Sequence, residues 1–244
     1  MSKESIAFWA ADHLRISLFC KQPVWEISIE DVFQAIFGAA PDETTKRSAE
    51  LIASANLDTY RAELKRTFNR LDCVIQPLPS GVPEFQVLEN IEHLLNPFVD
   101  QVVKWAGTQP EGVVRIAIGL GGLLRVDDVK SGYVKLKELV RTVAVDVDRF
   151  RDFQFRVNLP QQSEFVERMM LNRLTTWSVV QFHSLPFSPT TPIPLPATNK
   201  FYCACAVDVN TDADNTELMT SSQLEKLFAE MKAEVVKLLT DGVE

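Results

Sequence analysis

The sequence predicts an α+β fold with a largely antiparallel sheet and helices packed on one face. Three strand-like runs, residues 152–160, 171–183 and 201–211, require a sheet. Residues 84–105 and 219–241 carry apolar side chains at helical spacing, which requires helices as well. Because the predicted strands and helices do not alternate strictly, hairpin-linked strands are favoured over parallel βαβ units.

The N-terminal segment predicts a strand followed by a short helix. Residues 14–20 alternate between polar and apolar, as a strand does. Ser28 and Asp31 then approximate a capping box, and five apolar residues follow at helical spacing until Gly38. Residues 41–54 are polar and could form a second short helix.

Residues 60–77 fit both a helical and a strand period. A strand is favoured at least for residues 70–76, because Leu71, Cys73 and Ile75 alternate and a segment rich in proline and glycine follows.

The central region predicts a helix, a strand and a second helix. Residues 84–105 form one apolar stripe, which Pro97 should kink or divide. Residues 113–126 are strongly apolar but contain three glycines, so we expect one long bent strand or a hairpin. A phosphate-binding loop would need a helix after these glycines, and strand-like sequence follows instead, which favours a bulge or bend. Residues 131–143 predict the second helix.

A proline-rich segment and a final helix complete the chain, which we expect to form a single domain over residues 1–244. Five of the 13 prolines fall within residues 186–200, predicting an extended internal loop between two strands. The amphipathic helix of residues 219–241 should begin at a capping box of Ser222 and Glu225 and end before Gly242.

Composition narrows the classes of function. A net charge of −8 without a basic stripe argues against a nucleic-acid binder. No apolar run approaches the roughly 20 residues of a membrane-spanning helix. The four cysteines include no C-x-x-C pair, so we expect no zinc knuckle, no thioredoxin-type site and no cofactor. These features favour a cytoplasmic protein with reduced, packed cysteines.

Asn172, Arg173 and Trp177 are the candidate binding residues, because arginine and tryptophan are enriched at binding hot spots. They stand before a predicted strand and near the proline-rich loop. The structural alternative is favoured: Arg173 pairs with an acidic neighbour, Asn172 caps a turn, and Trp177 is part of the core.

Other polar groups are weaker candidates. The spacing of a calcium loop is approximated by Asp208, Asn210, Asp212 and Asp214, but Ala213 replaces the required glycine and Met219 the required glutamate. Asp72 with Glu84 and Gln86 loosely resembles the acidic core of the restriction-nuclease fold, although the spacer fits poorly. No catalytic residue is assigned, and we expect His13, His93 and His183 to be packed or surface residues.

Several short motifs, in this order, resemble landmarks of an uncharacterised family of bacterial cytosolic proteins of about this length. They are Arg70-Leu-Asp72, Val114-Arg-Ile-Ala, Gly132-Tyr133, Asp152-Phe with Asn158, Asn172-Arg-Leu with Trp177-Ser-Val, and Asp208-Val-Asn-Thr211. The resemblance covers the chain from about Arg70 onward. It implies a bacterial, single-domain protein and no known activity.

Three functions remain open from the sequence. A non-enzymatic protein-binding module that self-associates is favoured, with a sheet edge or a helix groove as its contact surface. The first alternative is a nuclease-like, metal-assisted hydrolase using Asp208, Asp212 or Asp214. The second is an accessory protein of a bacterial defence locus.

Overall fold

A computed structural model describes residues 5–21, 28–80, 85–108, 112–184 and 198–244. A short 3₁₀ helix, Ile6–Phe8, precedes the first strand. Within these ranges the four α-helices are α1 (Ile29–Phe37), α2 (Ile91–Gly107), α3 (Val129–Leu139) and α4 (Ser221–Asp241). The ten strands are β1 (Trp9–Cys20), β2 (Glu43–Arg47), β3 (Glu50–Asn56), β4 (Arg61–Arg66), β5 (Arg70–Gln76), β6 (Val113–Val126), β7 (Gln154–Asn158), β8 (Gln161–Gln162), β9 (Met170–Ser184) and β10 (Thr198–Thr211).

All ten strands belong to one sheet, and their pairings are antiparallel. Their order is β2-β3-β4-β5-β1-β6-β10-β9-β7, with β8 attached to β9. The helices cover one face, where a buried row crosses five neighbouring strands through Leu64, Cys73, Ile16, Ile118 and Val209. The predicted α+β class and antiparallel sheet are confirmed.

The ends of α1 and α4 show how local sequence determines where a helix begins or ends. Ser28 accepts a hydrogen bond from the Asp31 amide at 3.3 Å, and Gly38, with φ of 75°, ends α1 as predicted. The predicted cap of α4 is wrong by two residues. Thr220 and Gln223 form the capping box, because Thr220 is the last extended residue before the helix.

The second short helix predicted for residues 41–54 is wrong, because this segment forms the hairpin of β2 and β3. Ala53 and Ala55 alternate along β3 and pack into the core on the helix face, and Ser54 between them is buried as well. In β4 the buried residues follow a period of two, with Ala62 and Leu64 facing the core. The strand predicted for residues 70–76 is confirmed as β5.

α2 begins at Ile91, later than the predicted residue 84. Residues 85–90 before it form no helix, and Leu88 bridges Ala11 of β1 through two backbone hydrogen bonds of 2.9 and 2.7 Å. Pro97 lies inside α2, which continues past it to Gly107 as one helix. None of the described helices is long and apolar enough to cross a membrane.

The glycine-containing run forms one long strand, β6, which is one of the two predicted alternatives. The expected bulge lies in the neighbouring strand, β1. Its register against β6 shifts between Ala11 and Leu14, where two residues of β1 stand opposite the single residue Gly121. Asp12 and His13 therefore share a bulge, which redirects their side chains.

The predicted proline-rich loop, residues 186–200, lies largely outside the described residues. Its last three residues are already part of β10, because Thr198, Asn199 and Lys200 pair with β9.

Candidate functional site

The sheet face opposite the helices, hereafter the open face, carries mostly polar and small side chains. One row crosses five strands from β7 to β1 through Asn158, Leu174, Asp208, Gly119 and Arg15. At one end of this face, Phe85 stacks on Phe182 with ring centroids 3.5 Å apart, beside the buried Tyr202. The centre of the face, between this aromatic cluster and the polar row, is where the polar side chains are concentrated.

A groove of about 380 Å³ lies at this centre. We call it the open-face groove and define it by six lining side chains: His13, Arg15, Gln154, Arg156, Thr176 and Asp208. Gly119 and Ala206 form its floor. Its volume falls within the range of small-ligand sites.

Arg15 and Asp208 form the fixed part of the groove. The Arg15 Nη2 atom donates to Asp208 Oδ2 at 2.9 Å, and Asn210 Nδ2 donates to Asp208 Oδ1 at 2.8 Å. A Cβ atom at Gly119 would stand 3.0 Å from Arg15 Nη2, so the glycine leaves the space in which the guanidinium lies. Asp208 therefore has a defined hydrogen-bonding role in the groove.

Arg156 is the uncommitted cation of the groove. It is exposed on β7, and within the described residues no hydrogen bond or ion pair holds its guanidinium. The residues opposite it on the next three strands are Thr176, Ala206 and Gly121, which are short. Because the neighbouring side chains are short, a carboxylate has room to approach the unpaired guanidinium and bind it.

His13 and Asp12 form an acid–base pair at the other side of the groove. Asp12 Oδ1 lies 2.5 Å from His13 Nδ1, and the two side chains are 45% and 41% exposed. Thr176, the hydroxyl among the lining residues, lies three strand spacings away, about 14 Å along the sheet. The pair therefore cannot hydrogen-bond that hydroxyl.

The residues predicted to bind do not share one surface, and they lie within β9 rather than before a strand. Arg173 and Trp177 point toward the helices, whereas Asn172 points to the open face. Trp177 is fully buried, and Arg173 pairs with Glu234 of α4 at 2.7 Å. Asn172 joins Asn158 and Asn210 through side-chain hydrogen bonds of 3.0 and 3.3 Å. The structural alternative matches Arg173 and Trp177, while Asn172 belongs to a ladder rather than a turn.

The four candidate calcium ligands are split between a strand and the turn after it. Asp208 and Asn210 lie in β10, while Asp212 and Asp214 follow its end. Asp212 Oδ1 accepts from the Asp214 amide at 3.1 Å, which is a local turn contact. Among the residues that the structure describes, no three His, Cys, Asp or Glu side chains form a group suited to a metal ion.

The loosely nuclease-like carboxylate has a structural role. Asp72 is buried and accepts hydrogen bonds from Ser17 Oγ at 2.5 Å and Arg70 Nε at 2.8 Å. Glu84, its predicted companion, lies outside the described residues. Of the other histidines, His183 contacts Asn199 at 2.7 Å, and His93 is exposed on α2.

Sequence reasoning missed Arg15, Gln154 and Arg156. The signal that could have found them is their period of two, since Arg15 interrupts the apolar residues of β1 and Gln154, Arg156 and Asn158 alternate with apolar residues on β7. Polar residues at alternate strand positions indicate an uncovered face.

The four cysteines are buried thiols without disulfides. Burial raises the pKa of Cys20 to about 11 and that of Cys203 to about 12, and it raises the pKa of Cys73 and Cys205 as well. They are therefore protonated near neutral pH and packed as small apolar groups.

We expect Ellman's reagent at pH 8 to modify the folded protein at least roughly a hundredfold more slowly than the denatured chain. The protonated thiols are both poor nucleophiles and shielded. Four thiols per chain should react in guanidinium chloride. A thiol that reacts within seconds in the folded protein would contradict this arrangement.

No protein-family model matches this sequence, and no curated protein is detectably similar to it. The likeness of its motifs to an uncharacterised bacterial family therefore stays a prediction, and the geometry of the open face carries the functional argument.

Proposed function

We propose that this protein is a non-enzymatic binding module that holds an acidic side chain of a partner protein in the open-face groove. The observation that carries the proposal is the exposed guanidinium of Arg156, which has no described partner and lies beside a floor of short side chains. A guanidinium recognises carboxylates with charge-assisted, often bidentate hydrogen bonds.

The charges of the groove favour a single carboxylate over a polyanion. Arg156 is balanced by no described neighbour, whereas Asp208 neutralises Arg15. Arg156 can therefore take one carboxylate directly, while a phosphate chain would also meet the carboxylates of Asp208 and Asp12. The net charge of −8 further disfavours nucleic acid.

The shape of the site supports a protein segment as the occupant. The groove opens onto a sheet face rather than into an enclosed cavity, so a side chain can enter while its backbone stays outside. Gln154 on the same strand as Arg156 and the Asn158–Asn172–Asn210 ladder offer amide donors and acceptors to such a backbone. A bacterial, cytoplasmic setting with reduced cysteines is part of this proposal.

A peptide titration followed by amide NMR tests the site directly. We expect an acetylated Ser-Thr-Glu-Thr-Ser amide to shift the Gly119 and Gly121 amides saturably. Arg156→Ala should weaken this binding roughly tenfold to a hundredfold, because a hydrogen bond to a charged group contributes about 1.5–3 kcal/mol.

Three comparisons make the titration decisive. The same peptide with glutamine in place of glutamate should bind at least about tenfold more weakly. Arg149→Ala, which removes an exposed arginine from the loop before β7, should bind like the wild type. Equal affinities for the wild type and Arg156→Ala would refute the site, and equally tight binding of free glutarate would indicate a small acid rather than a protein segment.

A further inference from the structure

We propose that two copies of this chain associate through the outer edge of β2, in an antiparallel two-fold pairing centred on Thr45. β2 ends the sheet, and among the described strands it pairs only with β3. An edge strand presents unpaired backbone N–H and C=O groups that can bind another strand. The proposal is independent of which ligand the groove holds.

The sequence of β2, Glu-Thr-Thr-Lys-Arg, is complementary to itself in this register. Glu43 stands opposite Arg47 of the second copy, and the two-fold axis repeats this pair. Thr45 stands opposite its own copy. Opposite charges and β-branched residues directly across an antiparallel pair stabilise it.

The helix face of the edge adds a second complementary contact. Thr44 lies opposite Ala53 on the helix face, near Glu30 in the first turn of α1. In the proposed register, Lys46 of the second copy stands opposite Thr44, which brings its ammonium group toward the Glu30 carboxylate. Thr44, Lys46 and Glu30 are exposed, so the edge can accept this contact.

Other pairings are less favourable. If the two β2 strands paired around Lys46 instead of Thr45, that lysine would stand opposite the same lysine of the second copy. Two copies could also pair through β7 at the opposite edge of the sheet. Centring that pairing on Arg156 places two arginines opposite each other. Like charges directly opposite destabilise a strand pair. Charged residues on an edge strand commonly prevent unspecific strand pairing. On β2 the order of the charges favours the register centred on Thr45.

The two-fold axis of such a pair runs perpendicular to the sheet. The two sheets then join into one, and both open-face grooves lie on the same side of it. Five paired residues per chain make a small interface, so we expect a dimer that dissociates at roughly micromolar to tens of micromolar concentration.

Sedimentation velocity over roughly 1–300 µM protein tests the pairing. Arg47→Glu and Glu43→Arg should each weaken dimerisation about tenfold or more, because each substitution creates two like-charge pairs. The double variant Glu43→Arg/Arg47→Glu exchanges the partners and should restore the dimer to within about threefold of the wild type. Arg149→Glu is the charge-matched control and should dimerise normally.

A wild type that stays monomeric throughout this range overturns the proposal. Single variants that dimerise like the wild type, or a double variant that fails to recover, overturn it as well. Arg156→Ala separates the two proposals, since it should lose peptide binding but keep the dimer, whereas Arg47→Glu should keep peptide binding.

Discussion

Replacing Trp177 by alanine should lower the free energy of unfolding by about 3–5 kcal/mol. The indole is fully buried on the helix face of β9 and meets Trp9 edge to face, with ring centroids 6.3 Å apart. Gly122 gives the Trp9 indole its space, because a Cβ there would stand 3.1 Å from that ring. Alanine would leave a cavity that this close-packed layer cannot fill.

Guanidinium chloride denaturation, followed by far-ultraviolet circular dichroism, measures this effect. Trp177→Phe keeps an aromatic ring in the layer and removes an indole N–H that has no described hydrogen-bond partner, so it should cost less than half as much. A loss below about 0.5 kcal/mol for Trp177→Ala, typical of surface substitutions, would show that the residue is not packed in this way.

Replacing Arg173 by alanine should lower the free energy of unfolding by about 2–4 kcal/mol. Arg173 Nη1 donates to Glu234 Oε2 at 2.7 Å, and Arg173 Nε donates to the Leu159 carbonyl at 2.8 Å. The two charged side chains are only 16% and 13% exposed. Without the arginine, the Glu234 carboxylate is left poorly solvated and without a neighbouring cation. This unpaired charge accounts for the larger part of the loss in stability.

A double-mutant cycle separates the pair from other effects. Glu234→Ala should destabilise similarly, and Arg173→Ala/Glu234→Ala should be less destabilised than the sum of the single variants, because no isolated charge is left. Strictly additive single and double effects would contradict a coupled ion pair between β9 and α4.

These two substitutions also separate stability from binding. Trp177 and Arg173 lie on the helix face, so the folded fraction of each variant should bind the acidic peptide normally. Arg156→Ala should show the opposite pattern, since its side chain is exposed on the open face.

Local patterns predicted the elements whose burial follows a simple period. The caps at Ser28 and Gly38 and the apolar face of α4 mark helices, and the alternation in residues 152–160 and 201–211 marks strands. The β2–β3 hairpin was missed because an edge strand such as β2 buries little, so its exposed polar residues resemble those of a short helix.

The functional residues could not be grouped from the sequence for a different reason. Arg15 and Asp208 hydrogen-bond across 193 positions of the chain, and Arg156 reaches the same groove from a third strand. Asn172 and Arg173 are neighbours in the sequence but point to opposite faces of β9. Proximity along a strand therefore does not predict a shared surface.

The sequence by itself determined the fold class and most strands and helices, because periodicity and capping act between residues a few positions apart. Only the tertiary structure decided which strands are neighbours, which face stays open and which strand forms each edge. Those features depend on strand register and strand order, which are set by contacts between distant segments. The open-face groove and the self-complementary edge of β2 both arise at that level.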